Sequence, residues 1–137
     1  MGRAERLAQN LVICPPVVVQ HAALAAFDPA AVAELDRHVE RYRANRTVLL
    51  EGLPRAGIDR LAPADGAFYV YAEVGHLTDD SLALCHRWLA EIGVAATPGI
   101  DFDPVRGQRT VRFSFAGETT DMVEAVHRLQ RWVAHSG

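Results

Sequence analysis

At 137 residues with a formal net charge of −3, the chain fits one domain with a real hydrophobic core and lacks the basic excess of a nucleic-acid binder. Half of its residues are apolar and 23% charged, as in an ordinary soluble chain, and no apolar run approaches bilayer-spanning length. Cys14 and Cys85, without CxxC or zinc spacing, point to neither a disulfide scaffold nor a metal site, and with no signal-peptide pattern a cytoplasmic location is expected.

From the N-terminus, residues 1–11 are polar and Arg-rich, with weak helical spacing through Leu7 and Leu11. They read as the tail of an element that begins elsewhere. Pro15-Pro16 then suits a helix entry, because the missing N–H groups are not needed there. Val17 to Phe27 is apolar apart from Gln20 and His21, and a helix apolar all round is expected to be buried or to face a partner.

Asp28-Pro29 marks a helix start, with Asp as cap and Pro at the first helical position. Val32, Leu35, Val39, Tyr42, Arg46, Leu49 and Leu53 follow in steps of three and four. That spacing predicts one helix over 28–53, a rod of roughly 38 Å that could bridge two domains. Pro54 and Gly57 are expected to end it.

Gly57 to Pro63 reads as a short strand and loop, Ala64-Asp65-Gly66 as a turn, and Ala67 to Val74 as the clearest strand. Thr78 is the expected cap of a helix with the stripe Leu82, Cys85, Leu89 and Ile92, closed by Gly93. Val94 to Ala96 is a brief strand before the Pro98-Gly99 turn. In the next strand Val111, Phe113 and Phe115 share one face, and Thr110, Arg112 and Ser114 the other. A last helix, capped at Thr119 or Thr120, carries Met122, Val126, Leu129 and Val133. The order predicts an α+β domain with helices on one face of a small, mainly antiparallel sheet.

Two readings are open for Arg112. A polar residue on the wet side of a half-buried strand is the default outcome of alternation. A guanidinium fixed on a strand is also a good fork for a carboxylate, since its paired N–H groups match the two oxygens. No such ambiguity attends the fourteen basic residues as a set: all are Arg. Without a Lys, the terminal amine alone could form a Schiff base with an aldehyde cofactor.

Three segments in order, GAFYVY, GVAATPGIDF and TVRFSFA, followed by a helix with HRLQ, resemble the C-terminal part of class I/II aminotransferases of the aspartate aminotransferase type. NLVICPPVVVQHAALAAF is similar to the segment that follows the cofactor lysine in that family, so the resemblance covers essentially the whole chain. It implies fold type I and pyridoxal phosphate in the complete enzyme, with none bound to this chain alone. It also implies an amino acid and a 2-oxo acid as substrates, a large domain of the same enzyme as neighbour, and a homodimer. Residues 1–27 would end the large domain, and 28–137 would form the small domain with its interdomain helix. By position, Arg112 takes the role of the Arg that grips the substrate carboxylate, Phe68 that of a pocket wall or of a plain core aromatic, and Pro98 and Gly99 that of the turn shaping the site.

The resemblance also implies what is missing. The family's Schiff-base Lys, its pyridine-nitrogen Asp and its phosphate-binding residues precede the matched region, so the chain is expected to be inactive alone. A second reading, from another class, is a non-catalytic ligand-binding or interaction domain that keeps the small-domain fold. The six His residues make no ligand pair, no nucleotide-binding or GxSxG motif occurs, and Cys85 reads as a core residue.

Overall fold

The computed structural model describes residues 2–11 and 13–136; Val12 of the segment quoted above lies outside them. The chain divides into two compact units, the first ending at His38 and the second beginning at Val39.

In the first unit, α1 (Arg3–Leu11) and α2 (Val17–Ala25) are both helical as the spacing predicts. Pro16 precedes α2, and its carbonyl accepts from the N–H groups of Val19 and Gln20. No residue of either helix is buried. Val17, Val18, Leu24 and Phe27 stand exposed, so of the two expectations for so apolar a helix, burial within the chain is not met and a facing partner remains. Apolar composition drives burial only where a second surface is available.

α3 (Pro29–Arg55) starts at the predicted proline and runs past the predicted end. Pro54 sits inside its last turn, and the helix closes through the left-handed Gly57, φ 77°. Its apolar stripe changes character along its length: Val32, Leu35 and Val39 are exposed, whereas Leu49 and Leu53 are buried.

The second unit is a sheet with strand order β1-β2-β4-β3, antiparallel at each pairing. The strands are β1 (Arg60–Leu61), β2 (Tyr69–Glu73), β3 (Thr97–Pro98) and β4 (Thr110–Ser114). β2 is shorter than the predicted strand because Ala67 takes φ 58°, left-handed backbone that breaks extension before Tyr69. The brief strand expected at 94–96 lies instead at Thr97–Pro98, where the chain registers with Arg112 and Val111. Pro98 is tolerated there because β3 is an edge and need not donate to a further strand.

α4 (Ser81–Ile92) is capped by Asp80 rather than Thr78: the Asp80 carboxylate accepts from Leu82 N and Ala83 N. Thr78 makes the preceding turn, its hydroxyl accepting from Asp80 N at 2.9 Å, and so delivers Asp80 to the cap. The buried stripe of α4 is Ser81, Leu84, Cys85 and Trp88, one position away from the predicted Leu82 and Leu89, which are exposed. Trp88 decides this offset, because the largest apolar surface gains most from burial. Gly93, φ 64°, ends the helix as predicted.

α5 (Thr119–Ser136) begins at Thr119, whose hydroxyl donates to Asn45 Oδ1 at 2.6 Å. Asn45, fully buried, also donates to the carbonyls of Phe115 and Gly117, so α3, the end of β4 and the start of α5 are tied at one side chain. The core lies between the helices and one face of the sheet: Leu49 and Leu53 of α3, Leu84 and Trp88 of α4, Leu129 and Trp132 of α5, and Val70, Ala72, Val111 and Phe113 of the strands. Trp88 packs on Phe113 with ring centroids 5.8 Å apart and meets Trp132 edge-on at 5.9 Å. This is the α+β arrangement with helices on one sheet face that the sequence predicts.

Candidate functional site

The opposite face of the sheet carries what the core rejects. Alternation places Tyr69, Tyr71 and Glu73 of β2 and Thr110, Arg112 and Ser114 of β4 on it, with Tyr71 and Thr97 as the registered partners of Arg112 on either side. β4 is interior to the sheet, so Arg112 projects from the middle of a rigid surface and not from an edge.

Its guanidinium has an unusual set of neighbours. The central carbon lies 5.1 Å from the centroid of the Tyr69 ring and 4.5 Å from that of Phe102. One terminal nitrogen donates to Thr97 Oγ1 across a long 3.4 Å. Nε is buried without a hydrogen-bond partner in the protein.

Charge pairing sets Arg112 apart further. Arg41, Arg43, Arg46, Arg55, Arg60, Arg87, Arg106, Arg109, Arg128 and Arg131 each have a carboxylate within 4.0 Å. From Val39 onward, among the described residues, Arg112 is the one Arg without such a partner. Glu73, on the same face, is engaged by Arg60, Arg109 and the N–H of Gly75. A half-buried cation without an internal counter-ion can accept an external anion without first breaking an ion pair.

The turn before β4 completes the surroundings. Pro98 and Gly99 are both buried. Gly99 is not left-handed; a Cβ there would run into the hydroxyl and carbonyl of Thr110 and the hydroxyl of Tyr71. Tyr71 and Thr110 share a hydroxyl–hydroxyl hydrogen bond of 2.7 Å, so close backbone approach fixes the turn against the sheet. Gly107 in turn packs on the Gly99 carbonyl with no room for a side chain. Between them, Asp103 accepts from Val105 N and Arg106 N at 2.9 and 3.0 Å. The Arg106 N–H first, then that of Val105, hold the Asp103 carboxyl below its usual range.

Phe68, expected as a pocket wall, is half-exposed and meets Tyr69 edge-on at 5.9 Å. The rings over Arg112 are those of Tyr69 and Phe102, neither singled out by the sequence. Alternation could have found Tyr69, two residues before the registered partner of Arg112. Nothing in the pattern marks Phe102, which reaches the site through loop geometry alone.

Elsewhere, a cavity of about 840 Å³ is lined by residues of α4 and α5, among them Arg87, Glu91 and Trp132, and by His76 and Leu77 of the loop before α4. The Glu91 and Arg87 charges there are paired with each other, and Glu91 also accepts from Trp132 Nε1. Among the described residues no cluster of three His, Cys, Asp or Glu side chains could hold a metal ion. Nor is any described helix long and apolar enough to cross a membrane.

Comparison with known proteins bears on this geometry. A family profile described as aminotransferase class I and II matches residues 3–129. The chain is 56% identical over 127 residues to a valine–pyruvate aminotransferase of Mycobacterium tuberculosis, covering 93% of this chain and 33% of that protein. It is 34% identical to an aspartate/prephenate aminotransferase of Thermus thermophilus, over 85% of this chain and 30% of that protein. Among solved structures, an aminotransferase from Mycobacterium tuberculosis superposes with a TM-score of 0.89 at 55% identity, over 94% of this chain and 33% of that one. The chain thus spans about a third of the length of the curated relatives it matches.

Proposed function

The chain belongs to the class I and II aminotransferase family, and from that premise we propose that Arg112 binds the α-carboxylate of an amino acid and of the 2-oxo acid that exchanges an amino group with it. The observation that carries this reading is the half-buried guanidinium without an internal carboxylate partner. Two terminal nitrogens face two carboxylate oxygens in a planar fork, which fixes the orientation of the substrate as well as its place. Fixed orientation converts an encounter into a positioned reaction, and rate is gained from that alone. The name of the valine–pyruvate relative supports a small apolar amino acid and a short 2-oxo acid as the substrate pair.

Pyridoxal phosphate, which the family implies, attaches through an amine. All fourteen Lys and Arg residues here are Arg, so the side chains of this chain do not fit as its attachment point, and no step through it is assigned to them. The reading places the attaching Lys in the part of the relatives' length that this chain does not span. Residues 1–27 would then close the large domain and 28–137 form the small one, the chain being inactive alone. The exposed apolar side chains of Val17, Val18, Leu24 and Phe27 support a covering surface, supplied by the large domain or by the second subunit of a homodimer.

The lack of Lys favours, as a second reading, a non-catalytic domain that keeps the fold and binds carboxylates. Purified 137-residue chain with added pyridoxal phosphate is expected to show no transamination, and full turnover would refute the assignment of the Lys elsewhere. In a full-length enzyme carrying this chain, Arg112→Ala is expected to lower kcat/KM for amino acid by about 2–5 kcal/mol. An unchanged value would refute the carboxylate role and leave the second reading standing.

A further inference from the structure

A guanidinium on a three-methylene stem sweeps a wide arc unless something stops it, and every rotamer lost on binding weakens the complex. Arg112 is not stopped by an ion pair, and its hydrogen bond to Thr97 is long at 3.4 Å. What remains are two aromatic rings, Tyr69 from β2 and Phe102 from the loop before β4, at 5.1 and 4.5 Å. Their quadrupoles attract a cation and leave its in-plane N–H groups free.

Phe102 is 53% exposed, and a single exposed Phe is by itself unremarkable. The loop that carries it is not. Phe102 N and Asp103 N both donate to Gly99 O at 2.9 Å, and Gly107 N donates to Asp103 O at 2.8 Å. Gly107 is pressed onto Gly99 with no room for a Cβ, and Gly99 onto Thr110 and Tyr71. The ring is therefore held over the cation by a backbone braced at both ends. Because Nε is buried, the only edge left to a ligand is the pair of terminal nitrogens.

We propose that Phe102 and Tyr69 are positioning residues, which hold the Arg112 guanidinium by ring contact so that its terminal nitrogens are presented, ready-oriented, to a carboxylate. The proposal rests on the carboxylate role given to Arg112 above and adds to it the device that fixes the fork. Losing one ring contact of this kind corresponds to about a 5- to 30-fold weakening of carboxylate binding.

Two experiments test it. In side-chain NMR of the 137-residue chain, the Arg112 Nε–H proton is expected upfield of solvated arginine, displaced by ring currents, and slow to exchange. Phe102→Leu keeps the loop apolar but removes the ring, and is expected to return the signal toward solvated arginine; an unmoved signal would overturn the proposal. In a full-length enzyme carrying this chain, Phe102→Leu is expected to raise KM for both amino acid and 2-oxo acid about 5- to 30-fold, with kcat within about threefold. Phe102→Tyr restores the wild-type values, and Val105→Ala, in the same loop and 85% exposed, leaves them unchanged. A wild-type KM in Phe102→Leu, or a loss confined to kcat, would overturn the proposal. Should Arg112→Ala itself leave KM unchanged, the carboxylate reading fails, and the NMR result still decides whether the ring orients the guanidinium.

Discussion

The two faces of β4 carry residues one position apart and solve opposite problems. On one face, Val111 and Phe113 lie under Trp88 and the helices, buried and wholly apolar. On the other, Arg112 is only partly covered, flanked by Thr97, Tyr69 and Phe102, with a nitrogen left unpaired. The first face stabilises the domain through area removed from water. The second keeps an unsatisfied charge at hand, and its position depends on the rigidity of the first.

Breaking the core face should have the largest effect on stability. Trp88→Ala removes a fully buried indole packed on Phe113 and Trp132 and is expected to destabilise the fold by about 3–5 kcal/mol, read by urea unfolding. Arg112→Ala should separate the two faces: carboxylate binding is lost, while the free energy of unfolding changes by less than about 1 kcal/mol. A stability loss as large as that of Trp88→Ala would mean that Arg112 is part of the scaffold.

Cap and strain changes give smaller effects. Asp80→Ala deletes the acceptor for Leu82 N and Ala83 N and is expected to cost about 1 kcal/mol, whereas Thr78→Ala acts only through the preceding turn and should cost less. The opposite ranking would restore Thr78 as the cap. Ala67→Gly relieves the left-handed backbone at φ 58°, and the relief should outweigh the added chain entropy of glycine by a few tenths to about 1 kcal/mol. A destabilised Ala67→Gly would show that the conformation carries no strain.

The core face also predicts a pH dependence. Burial, with a smaller contribution from Asp101, pushes the Cys85 thiol up to about 11. The unfolded thiol ionises first, near its ordinary value, so the unfolded state holds fewer protons between roughly pH 9 and 11 and stability falls as pH rises through that window. Cys85→Ala should lose this part of the slope. An identical pH profile in that variant would place the thiol in a solvated setting. Iodoacetamide at neutral pH is expected to modify the exposed Cys14 and spare Cys85.

Period and punctuation made much of this legible. The 2-residue alternation of TVRFSF assigned the faces of β4 correctly, and Asp28-Pro29 and Gly93 marked helix ends where the structure has them. The same approach misplaced the stripe of α4 by one residue, because Leu82 and Trp88 both fit an apolar pattern and only packing against Phe113 chooses between them. It expected a strand at 94–96, where short apolar runs fit many structures and hydrogen bonding to β4 selects Thr97–Pro98. It gave Thr78 the cap that a turn one step later hands to Asp80.

By itself, then, the sequence determined the family, the α+β order of elements, the polar face that carries Arg112 and the want of a Lys to bear a cofactor. The family follows from the likeness of its ordered segments, and the rest from local periodicity and residue chemistry, which need no partner to be read. Only the tertiary structure decided what surrounds Arg112. Phe102 comes from ten residues away along the chain, brought over the guanidinium by glycines packed without room for a side chain. The carboxylates of Arg41, Arg46, Arg60 and Arg109 likewise come from distant segments, whereas those of Arg43, Arg55, Arg87, Arg106 and Arg128 lie three or four residues away; that Arg112 has none among the described residues is settled by the fold. Contacts of this kind depend on distances set by the whole fold, and no local pattern encodes them.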